Sequence, residues 1–371
     1  MHILLAPDSF KESLSAKQVA EALKKGFQEA LPDATFDLLP IGDGGEGTME
    51  TLARVLNVTE YQTQVTGPFG QPVLMSYYQK DEMAFFELAS LVGLGSIPAE
   101  KRNPLELETR GIGELILQLV DQGVKTICVG IGGSATNDGG IGMAAGLGVD
   151  FYDEQGHLLR PVGASLGRVA RIDTSAVPKA LEDIDLQVLT DVTNPLCGSQ
   201  GATYIFGGQK GLNPLLFPAI DQAMQGFYQL VDARILSMAG TGAGGGMAAG
   251  LVTFAGGQIS SGIEKSLDLI DFDHKVQKAD LVVVGEGRMD LQSLSGKAPV
   301  GVAKRTPEKI PVIAICGSLA EDLPTFPSQN IDAAFSIVPG PCKVADALAH
   351  AERNLISCAR NIGNLLKIKA N

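Results

Sequence analysis

The sequence predicts an α/β protein built on parallel sheets. Short, continuously apolar runs recur along the chain and each stops at a glycine or an acidic residue, which is typical of strands buried on both faces. Helical patterns lie between these runs, and such alternation indicates an α/β architecture. The apolar runs are Ile3–Ala6, Leu38–Ile41, Ile127–Val129, Leu186–Leu189, Leu281–Val284 and Val312–Ile315.

The helical patterns place apolar residues at helical spacing between the predicted strands. The first has Ser15 in front of it, a residue type that favours the N-cap position. The predicted helices are Ser15–Ala30, Gly111–Gln122, Gly139–Gly148, Leu216–Met238 and Lys343–Leu366.

A chain of 371 residues favours two domains. Polar and apolar residues alternate through Thr59–Leu88 around a Gly-Pro turn, which predicts antiparallel strands, and 148–189 lacks a βαβ rhythm. We therefore expect a Rossmann- or flavodoxin-like parallel-sheet domain made of 1–60 and 240–371, with 93–145 as a further part of it. A mixed α/β domain of 61–92 and 146–239 would be inserted in it, with the active-site cleft between the two.

Composition and charge restrict the partners and the compartment. The net charge is −13 and no Lys/Arg block stands out, so we expect no nucleic-acid partner. The five cysteines are scattered without a CxxC pair, which favours a reducing compartment. No apolar stretch approaches the ~20 residues of a membrane helix, and the amino terminus resembles a strand more than a signal peptide. We expect a soluble cytoplasmic protein with no membrane partner, and a homo-oligomer is compatible with the sequence.

The predicted strand ends carry an unusual set of glycines, acids and lysines. Ligands of open parallel sheets bind at the carboxyl ends of the strands. The segments at those ends are Asp8–Lys11, Asp43–Thr48, Gly130–Gly140, Asp191–Asn194 and Gly285–Asp290.

These residue types together indicate phosphoryl transfer. Glycines let backbone N–H groups approach an anion closely. Two carboxylates about 4 Å apart repel by about 4 kcal/mol at an effective dielectric constant of about 20. A hard cation such as Mg²⁺, with oxygen ligands and bound phosphates, relieves that repulsion. Glycine loops, carboxylates and lysines are the recurring components of phosphoryl-transfer sites.

Simpler interpretations exist for each motif. A single DGG or GEG segment is usually only a turn, because turns favour Gly and Asp. The Ser295-Gly-Lys297 segment resembles the end of a phosphate-binding P-loop. Leu291 stands where that motif needs its first glycine, and Ala298 replaces its Ser or Thr, so the segment is not a P-loop.

Two glycine motifs support an alternative enzyme class, an NAD-dependent dehydrogenase of a small hydroxy acid. Gly130–Ala135 fits GxGxxA and Gly240–Gly245 fits GxGxxG. In the first, Asp138 near the helix start would compete with a pyrophosphate for the helix N-terminus. A non-enzymatic alternative is a two-domain small-molecule binding or sensor protein.

At these segments the sequence resembles the bacterial glycerate kinase family, which is unrelated to the P-loop kinases. The resemblance spans essentially the whole chain, in order. It is carried by Ala6–Ala16, Gly42–Thr48, Gly130–Gly140, Leu189–Gly198, Phe206–Gly211, Gly240–Gly246, Ser260–Glu264, Val283–Asp290 and Ser295–Lys297.

The resemblance implies ATP and Mg²⁺ as co-substrates and D-glycerate as the acceptor. It favours the 2-hydroxyl of glycerate over the 3-hydroxyl as the position phosphorylated. It also implies two α/β domains, one inserted in the other, as the sequence pattern itself indicates.

The resemblance and the local chemistry together suggest roles for individual residues. Asp191 is the first candidate and Asp138 the second for the base that accepts the proton of the glycerate hydroxyl. Asp43 and Glu46 would hold Mg²⁺, and Lys11 and Lys297 would neutralise the transferring phosphoryl group. The remaining candidates for substrate or nucleotide binding are Asp8, Ser9, Gly132, Gly133, Ser134, Thr136, Asn137, Asn194, Gly244, Gly285, Glu286, Gly287, Asp290 and Arg288, the last as a bidentate clamp for the glycerate carboxylate.

Overall fold

A computed structural model describes residues 1–42 and 47–370 of the chain. Its strands, in chain order, are β1 (His2–Pro7), β2 (Thr35–Leu38), β3 (Thr59–Thr66), β4 (Pro72–Lys80), β5 (Met83–Glu87), β6 (Thr126–Gly130), β7 (Asp150–Tyr152), β8 (Arg171–Asp173), β9 (Asp185–Leu189), β10 (Gln258–Ser260), β11 (Leu281–Gly285), β12 (Arg288–Met289), β13 (Val312–Cys316), β14 (Ser318–Leu319) and β15 (Ala333–Ser336). Its α-helices are α1 (Ala16–Ala30), α2 (Thr48–Leu56), α3 (Ala89–Val92), α4 (Arg110–Asp121), α5 (Ile141–Gly146), α6 (Ala202–Phe206), α7 (Phe217–Val231), α8 (Met247–Ala255), α9 (Gly262–Leu269), α10 (Phe272–Val276), α11 (Ala298–Arg305), α12 (Val344–Ala349) and α13 (Ala351–Ala370).

The predicted α/β class is confirmed, and the chain divides into two compact units. Among the described residues, unit 1 takes 1–42, 50–57 and 262–370, and unit 2 takes 47–49 and 58–261. Within the described residues, no helix is long and apolar enough to cross a membrane.

Unit 1 is organised around a five-stranded parallel sheet with the order β2-β1-β11-β13-β15. Residue Ile3 of β1 lies opposite both Leu281 of β11 and Phe36 of β2. In sequence order within the unit this is the 2-1-3-4-5 arrangement of flavodoxin-like sheets, whose direction of growth reverses between the first and third strands. The reversal here lies between β1 and β11.

Helix α1 covers one face of this sheet. Its start is fixed by a capping box, in which Gln18 N donates to Ser15 Oγ at 3.4 Å and Ser15 N donates to Gln18 Oε1 at 2.9 Å. Val19, Leu23 and Phe27 recur at helical spacing and are fully buried. They form a core with β1, β11 and α13, so the amphipathic pattern of the sequence specifies the packed face.

Unit 2 contains a six-stranded sheet with the order β10-β9-β6-β5-β4-β3. Strands β10, β9, β6 and β5 run parallel, while β4 pairs antiparallel with both β5 and β3. The antiparallel strands predicted over Thr59–Leu88 are present as β3, β4 and β5. On its other side, β5 pairs parallel with β6.

The largest differences from the predicted domain boundaries lie in two segments. Residues 93–145 and 240–261 were expected in the parallel-sheet domain, but both belong to unit 2. The reason is strand pairing: β6 inserts between β5 and β9, and β10 extends the same sheet beside β9. A buried parallel strand has the same apolar pattern in either sheet, so the pattern alone does not reveal which sheet it joins.

Some element boundaries also differ from the predictions. Strand β2 covers Thr35–Leu38 and ends where the predicted run Leu38–Ile41 begins. The predicted helix Lys343–Leu366 is divided into α12 and α13 at His350. Strand β15 was not predicted, because its four residues are only partly buried or exposed and lack a continuous apolar run.

Candidate active site

A cavity of about 580 Å³ opens at the carboxyl edge of the unit 1 sheet. The loops that follow β1 and β11 form part of its wall, so it lies where the strand order reverses, the usual ligand position in such sheets. Candidate residues from the two ends of the chain meet there. They are Asp8, Ser9, Lys11, Glu286, Gly287, Arg288 and Lys297.

Backbone hydrogen bonds hold the loops around this cavity. Asp8 N donates to Gly285 O at 2.8 Å, which ties the end of β1 to the end of β11. Gly317 N donates to Glu286 O at 3.0 Å and so attaches the loop after β13. Ser9 N donates to Asp8 Oδ1 at 2.6 Å. The Asp8 carboxylate is therefore positioned by its own loop.

The cations of the cavity lie on three different segments. Lys11 and Arg288 are exposed and Lys297 is half-buried. Their convergence offers three cationic groups to a ligand, alongside the carboxylates of Asp8, Glu12 and Glu286 in the same lining. A phosphorylated or carboxylated ligand is the kind of ligand that such a group of cations attracts.

Asp290 shapes the loop that leads to Lys297. Its carboxylate accepts from Gln292 N at 2.9 Å and from Ser293 N at 3.1 Å. Desolvation raises the pKa of Asp290, but the hydrogen bonds from Ser293 and Gln292 and the nearby charge of Lys297 together hold the pKa below its ordinary value. Asp290 is thus a charged turn residue beside a cavity lysine.

In unit 2, the parallel strands end along a common edge. Their register places Glu87 of β5 opposite Gly130 of β6, Gly130 opposite Leu189 of β9, and Leu189 opposite Ser260 of β10. The loops that follow these strands therefore begin side by side. They carry the predicted loop Gly130–Gly140 and the predicted segment Asp191–Asn194.

Asp191 is held at this edge by a side-chain hydrogen bond. Ser261 Oγ, just beyond β10, donates to Asp191 Oδ1 at 2.8 Å. The Asp191 residue is partly exposed while its Oδ2 atom is buried, so the hydrogen bond fixes a carboxylate that lies just below the surface. Three residues further along, Asn194 is oriented by donation from its Nδ2 to Gln200 O at 2.8 Å.

Asp138, the second candidate base, is fully buried. Thr109 Oγ1 donates to Asp138 Oδ2 at 2.7 Å and Gly140 N donates to Asp138 Oδ1 at 2.9 Å. Burial raises the pKa of Asp138, while these hydrogen bonds and the charge of Lys210 act in the opposite direction. With both oxygens engaged inside the unit, this carboxylate is placed to organise the loop, and Asp191 has the better access to a substrate hydroxyl.

Lys210 is a functional candidate that the sequence reasoning did not select. Its side chain is buried, and its ammonium group donates to Ser134 Oγ at 2.9 Å and to Thr136 O at 2.7 Å. Burial lowers the pKa of Lys210 to about 7, and the charge of Asp138 opposes that shift. The sequence did point to this region, because Lys210 lies in Phe206–Gly211, one of the segments that carry the family resemblance.

The loop between Ser134 and Asp138 contains further buried polar atoms. Asn137 Nδ2 donates to Thr203 Oγ1 at 3.0 Å. Asn137 Oδ1 and Thr136 Oγ1 are buried without a hydrogen-bond partner among the described residues. Gly132 and Gly133 are half-buried at the start of the loop. The loop is therefore anchored by Lys210, Thr203 and Thr109, while its first glycines are partly accessible.

The glycine-rich segment Gly240–Gly246 packs against protein backbone. A Cβ on Gly245, whose φ is +71°, would lie 2.1 Å from Thr136 O, and a Cβ on Gly242 would lie 2.2 Å from Pro195 O. These contacts press the segment onto both the Gly130–Gly140 loop and the turn after β9. Gly244 is half-buried beside Ile131 O. The GxGxxG match therefore reflects close packing of loops in this structure.

Glu87 is a second residue that sequence reasoning passed over. It ends β5, and its carboxylate accepts from Gly47 N at 3.0 Å and from Met49 N at 2.8 Å, at the start of α2. Glu87 follows an apolar run, as the acidic candidates selected from the sequence do. It was not selected, because Phe85-Phe86-Glu87 was assigned to an antiparallel hairpin.

The predicted metal ligands Asp43 and Glu46 lie outside the described residues. Within the described part of the chain, no cluster of three or more His, Cys, Asp or Glu side chains could hold a metal ion. Three carboxylates line the unit 1 cavity, those of Asp8, Glu12 and Glu286, and the strand-end pair Asp8 and Glu286 suits Mg²⁺. This ion is usually bound through one or two carboxylates together with substrate phosphates.

The fold and these loops define an α/β enzyme of the phosphoryl-transfer type. Parallel strands end in glycine-lined loops, carboxylates and lysines in both units, and the cavity lies at the reversal point of one sheet. A comparison with known proteins identifies the family.

The sequence profile of the glycerate kinase family matches residues 3–367. The chain is 56% identical over 368 residues to glycerate kinase of Neisseria meningitidis serogroup B, covering 99% of both chains. It is 41% identical over 375 residues to glycerate 2-kinase of Escherichia coli K12, covering 99% of this chain and 98% of the relative. A solved structure from Salmonella typhimurium LT2, provisionally described as glycerate kinase 2, is 42% identical with a TM-score of 0.86 and covers 100% of this chain and 99% of its own.

The chain belongs to the glycerate kinase family. It is a phosphotransferase that uses an alcohol group as acceptor, and the family implies ATP-dependent phosphoryl transfer. The resemblance inferred from the sequence motifs is confirmed. The dehydrogenase and sensor alternatives are not retained, because nothing in the comparisons supports either of them.

Proposed function

We propose that the protein transfers the γ-phosphate of ATP to the 2-hydroxyl of D-glycerate and requires Mg²⁺. The observation that carries the proposal is the convergence of Lys11, Arg288 and Lys297 on the unit 1 cavity, at the reversal point of a flavodoxin-like sheet. The likeness to a relative named glycerate 2-kinase supports the choice of hydroxyl.

Unit 1 supplies the groups that bind anions. Lys11 and Lys297 neutralise charge on the transferring phosphoryl group, and the N–H groups of Gly285–Gly287 supply backbone donors near it. Arg288 pairs with the glycerate carboxylate, because a guanidinium can form two parallel hydrogen bonds to a carboxylate. The exposure of Arg288 and Lys11 leaves both free to reach a ligand.

Unit 2 supplies the base. Asp191 accepts the proton of the glycerate 2-hydroxyl as that oxygen attacks the γ-phosphorus, and ADP leaves. The hydrogen bond from Ser261 fixes the orientation of the carboxylate before the reaction. Asp138 and Lys210 act through the loop Ser134–Asn137, which they hold in place from inside the unit.

Mg²⁺ would be held by Asp8 and Glu286 together with the nucleotide phosphates, and Asp43 and Glu46 stay as predicted ligands from the sequence. When bound, this ion neutralises phosphate charge that the cavity lysines do not reach. The protein carboxylates present the oxygen donors that the ion prefers.

We further propose that the protein acts in the cytoplasm and without a nucleic-acid partner. None of its five cysteines forms a disulfide within the described part of the chain, which suits a reducing compartment. The net charge of −13 disfavours contact with nucleic acid.

The test is ADP release from ATP in the presence of D-glycerate, measured with a coupled assay. We expect release that needs both the acceptor and Mg²⁺, that stops with EDTA and that resumes when Mg²⁺ is added back. Release at the same rate without glycerate, or glycerate-dependent release that EDTA leaves unchanged, would contradict the proposal. The variant Lys297→Met should lower turnover strongly, whereas Lys304→Met, an exposed lysine on α11, should not.

A further inference from the structure

Two chemically different groups of side chains line the cavity in unit 1. One group consists of the charged side chains described above. The other group is apolar and comes from the segment after β15 and from α12, namely Ile337, Val338, Val344, Ala347 and Leu348, which we call the apolar wall. Val344 is 75% exposed, so a large part of its surface is available to a ligand in the cavity that it lines.

This apolar wall is attached to the loop that carries Asp8, Lys11 and Glu12. Ser13 Oγ, in the loop after β1, donates to Leu348 O in α12 at 2.8 Å. Phe10, which is 3% exposed, lines the cavity from the same loop, and its N–H donates to Leu14 O at 2.8 Å. The apolar and charged side chains therefore belong to one pocket whose segments are tied together by hydrogen bonds.

Glycerate does not account for the apolar wall. Every carbon of glycerate carries oxygen, so the molecule has no apolar surface to bury there. A cavity of about 580 Å³ is also large for so small an acid and lies within the range of about 300–1,000 Å³ typical of larger ligands. A nucleoside triphosphate has both required parts, a flat base with apolar faces and a polyanionic tail.

We propose that the base of the nucleotide binds against Val344, Leu348 and Ile337, with its phosphates directed to Lys11 and Lys297. The proposal rests on the ATP-dependent activity proposed above and assigns the part of the pocket that holds each end of the nucleotide. It makes α12 a determinant of nucleotide affinity without a part in the chemical step.

The first test changes the apolar wall with uncharged residues. In the double variant Val344→Asn and Leu348→Asn, we expect the KM for ATP to rise by about tenfold or more, with kcat and the KM for glycerate nearly unchanged. Asparagine adds no charge, so repulsion of the phosphates does not contribute. The matched control is Ile368→Asn with Leu365→Asn, two exposed aliphatic side chains on α13. Equal KM values for ATP in the two double variants would overturn the proposal.

The second test does not depend on turnover. Cys342 is exposed and lines the same cavity, whereas Cys128 and Cys316 are buried and burial raises the pKa of the Cys197 and Cys358 thiols. A maleimide should therefore modify Cys342 first, and loss of that modification in Cys342→Ser identifies the signal. We expect saturating ATP, and adenosine alone, to slow the modification by about tenfold, since a bound ligand occupies the pocket. Tripolyphosphate and glycerate should not slow it.

The outcomes separate this inference from the proposed function. Glycerate-dependent ADP release, combined with labelling that neither ATP nor adenosine slows, would overturn the base site and leave the kinase activity standing. Protection by adenosine without glycerate-dependent release would support the base site and contradict the proposed function. Protection by tripolyphosphate but not by adenosine would reverse the orientation and overturn the inference.

Discussion

Asp191 is the residue on which the proposed chemistry depends most. Removing a general base typically lowers a rate by about 10²–10⁴-fold, because the proton of the attacking hydroxyl then has no acceptor. We expect Asp191→Asn to lower kcat by that order, with the fold intact, because the asparagine side-chain oxygen can still accept from Ser261. Circular dichroism and steady-state turnover measure the two effects.

The control for this variant is Asp183→Asn, which removes an exposed carboxylate in the same unit. It should turn over like the wild type. If Asp191→Asn retains turnover within a few-fold of Asp183→Asn, Asp191 is not the base.

Lys210 stabilises the loop Ser134–Asn137 from inside unit 2. Lys210→Met removes its two hydrogen bonds and leaves the Asp138 carboxylate buried without a nearby cation. Leaving a buried hydrogen-bond acceptor without its donor costs about 1–3 kcal/mol, and Lys210→Met leaves two such acceptors. We expect the melting temperature to fall by roughly 4 °C or more, since 1 kcal/mol corresponds to roughly 2–4 °C in a unit of this size. Differential scanning calorimetry measures the shift. Lys179→Met, which changes an exposed lysine of the same unit, serves as the control.

The effect of Lys210→Met on stability should also depend on pH. The pKa of Lys210 is about 7 in the folded chain, whereas an ordinary lysine has a pKa of 10.5, so between these values the unfolded chain binds the proton and the folded chain does not. The contribution of Lys210 to the free energy of unfolding therefore rises with pH across this window, by at most about 1.4 kcal/mol per pH unit. The difference in unfolding free energy between wild type and Lys210→Met should be larger at pH 9 than at pH 7. A difference that shrinks or stays constant would show that Lys210 is charged in the folded state at both pH values.

At the scale of elements, glycine contacts hold the loops of unit 2 together. Gly245 has φ +71° and a Cβ there would lie 2.1 Å from Thr136 O, whereas Gly256, at the end of α8, has φ +66° and open space around it. Both alanine variants cost about 1–2 kcal/mol for the left-handed conformation. Only Gly245→Ala adds a backbone clash, so it should be clearly less stable and lose activity, while Gly256→Ala keeps its activity. Thermal melts of both variants with turnover assays check this, and equal losses in the two would contradict the packing described for Gly240–Gly246.

Elements with a strong local pattern were predictable from the sequence. The capping residue and amphipathic face of α1 are both read from adjacent residues, and the apolar runs gave β1, β6, β9, β11 and β13. Strand β15 was not predictable in this way, because its residues are only partly buried and it is specified by pairing with β13. The break between α12 and α13 at His350 was not predictable either, because no proline or glycine marks it in the sequence.

At the scale of the molecule, the sequence predicted that the chain ends build one parallel sheet, but it misplaced 93–145 and 240–261. Which sheet a strand joins is decided by pairing between distant segments, and the apolar pattern of β6 or β10 carries no such information. The same limit applies to the candidate site. Asp8, Lys11 and Arg288 were identified as strand-end residues, whereas the buried position of Lys210 depends on contacts with a loop far away in the chain.

The central claim is that the protein phosphorylates the 2-hydroxyl of D-glycerate. The most direct measurement is ³¹P NMR of the product formed from ATP and D-glycerate. A phosphate on the 2-oxygen couples to a single carbon-bound proton and gives a doublet, whereas a phosphate on the 3-oxygen couples to a methylene pair and gives a triplet. The account predicts a doublet that grows as the ADP signals grow. A triplet, or ADP with free phosphate alone, would contradict it.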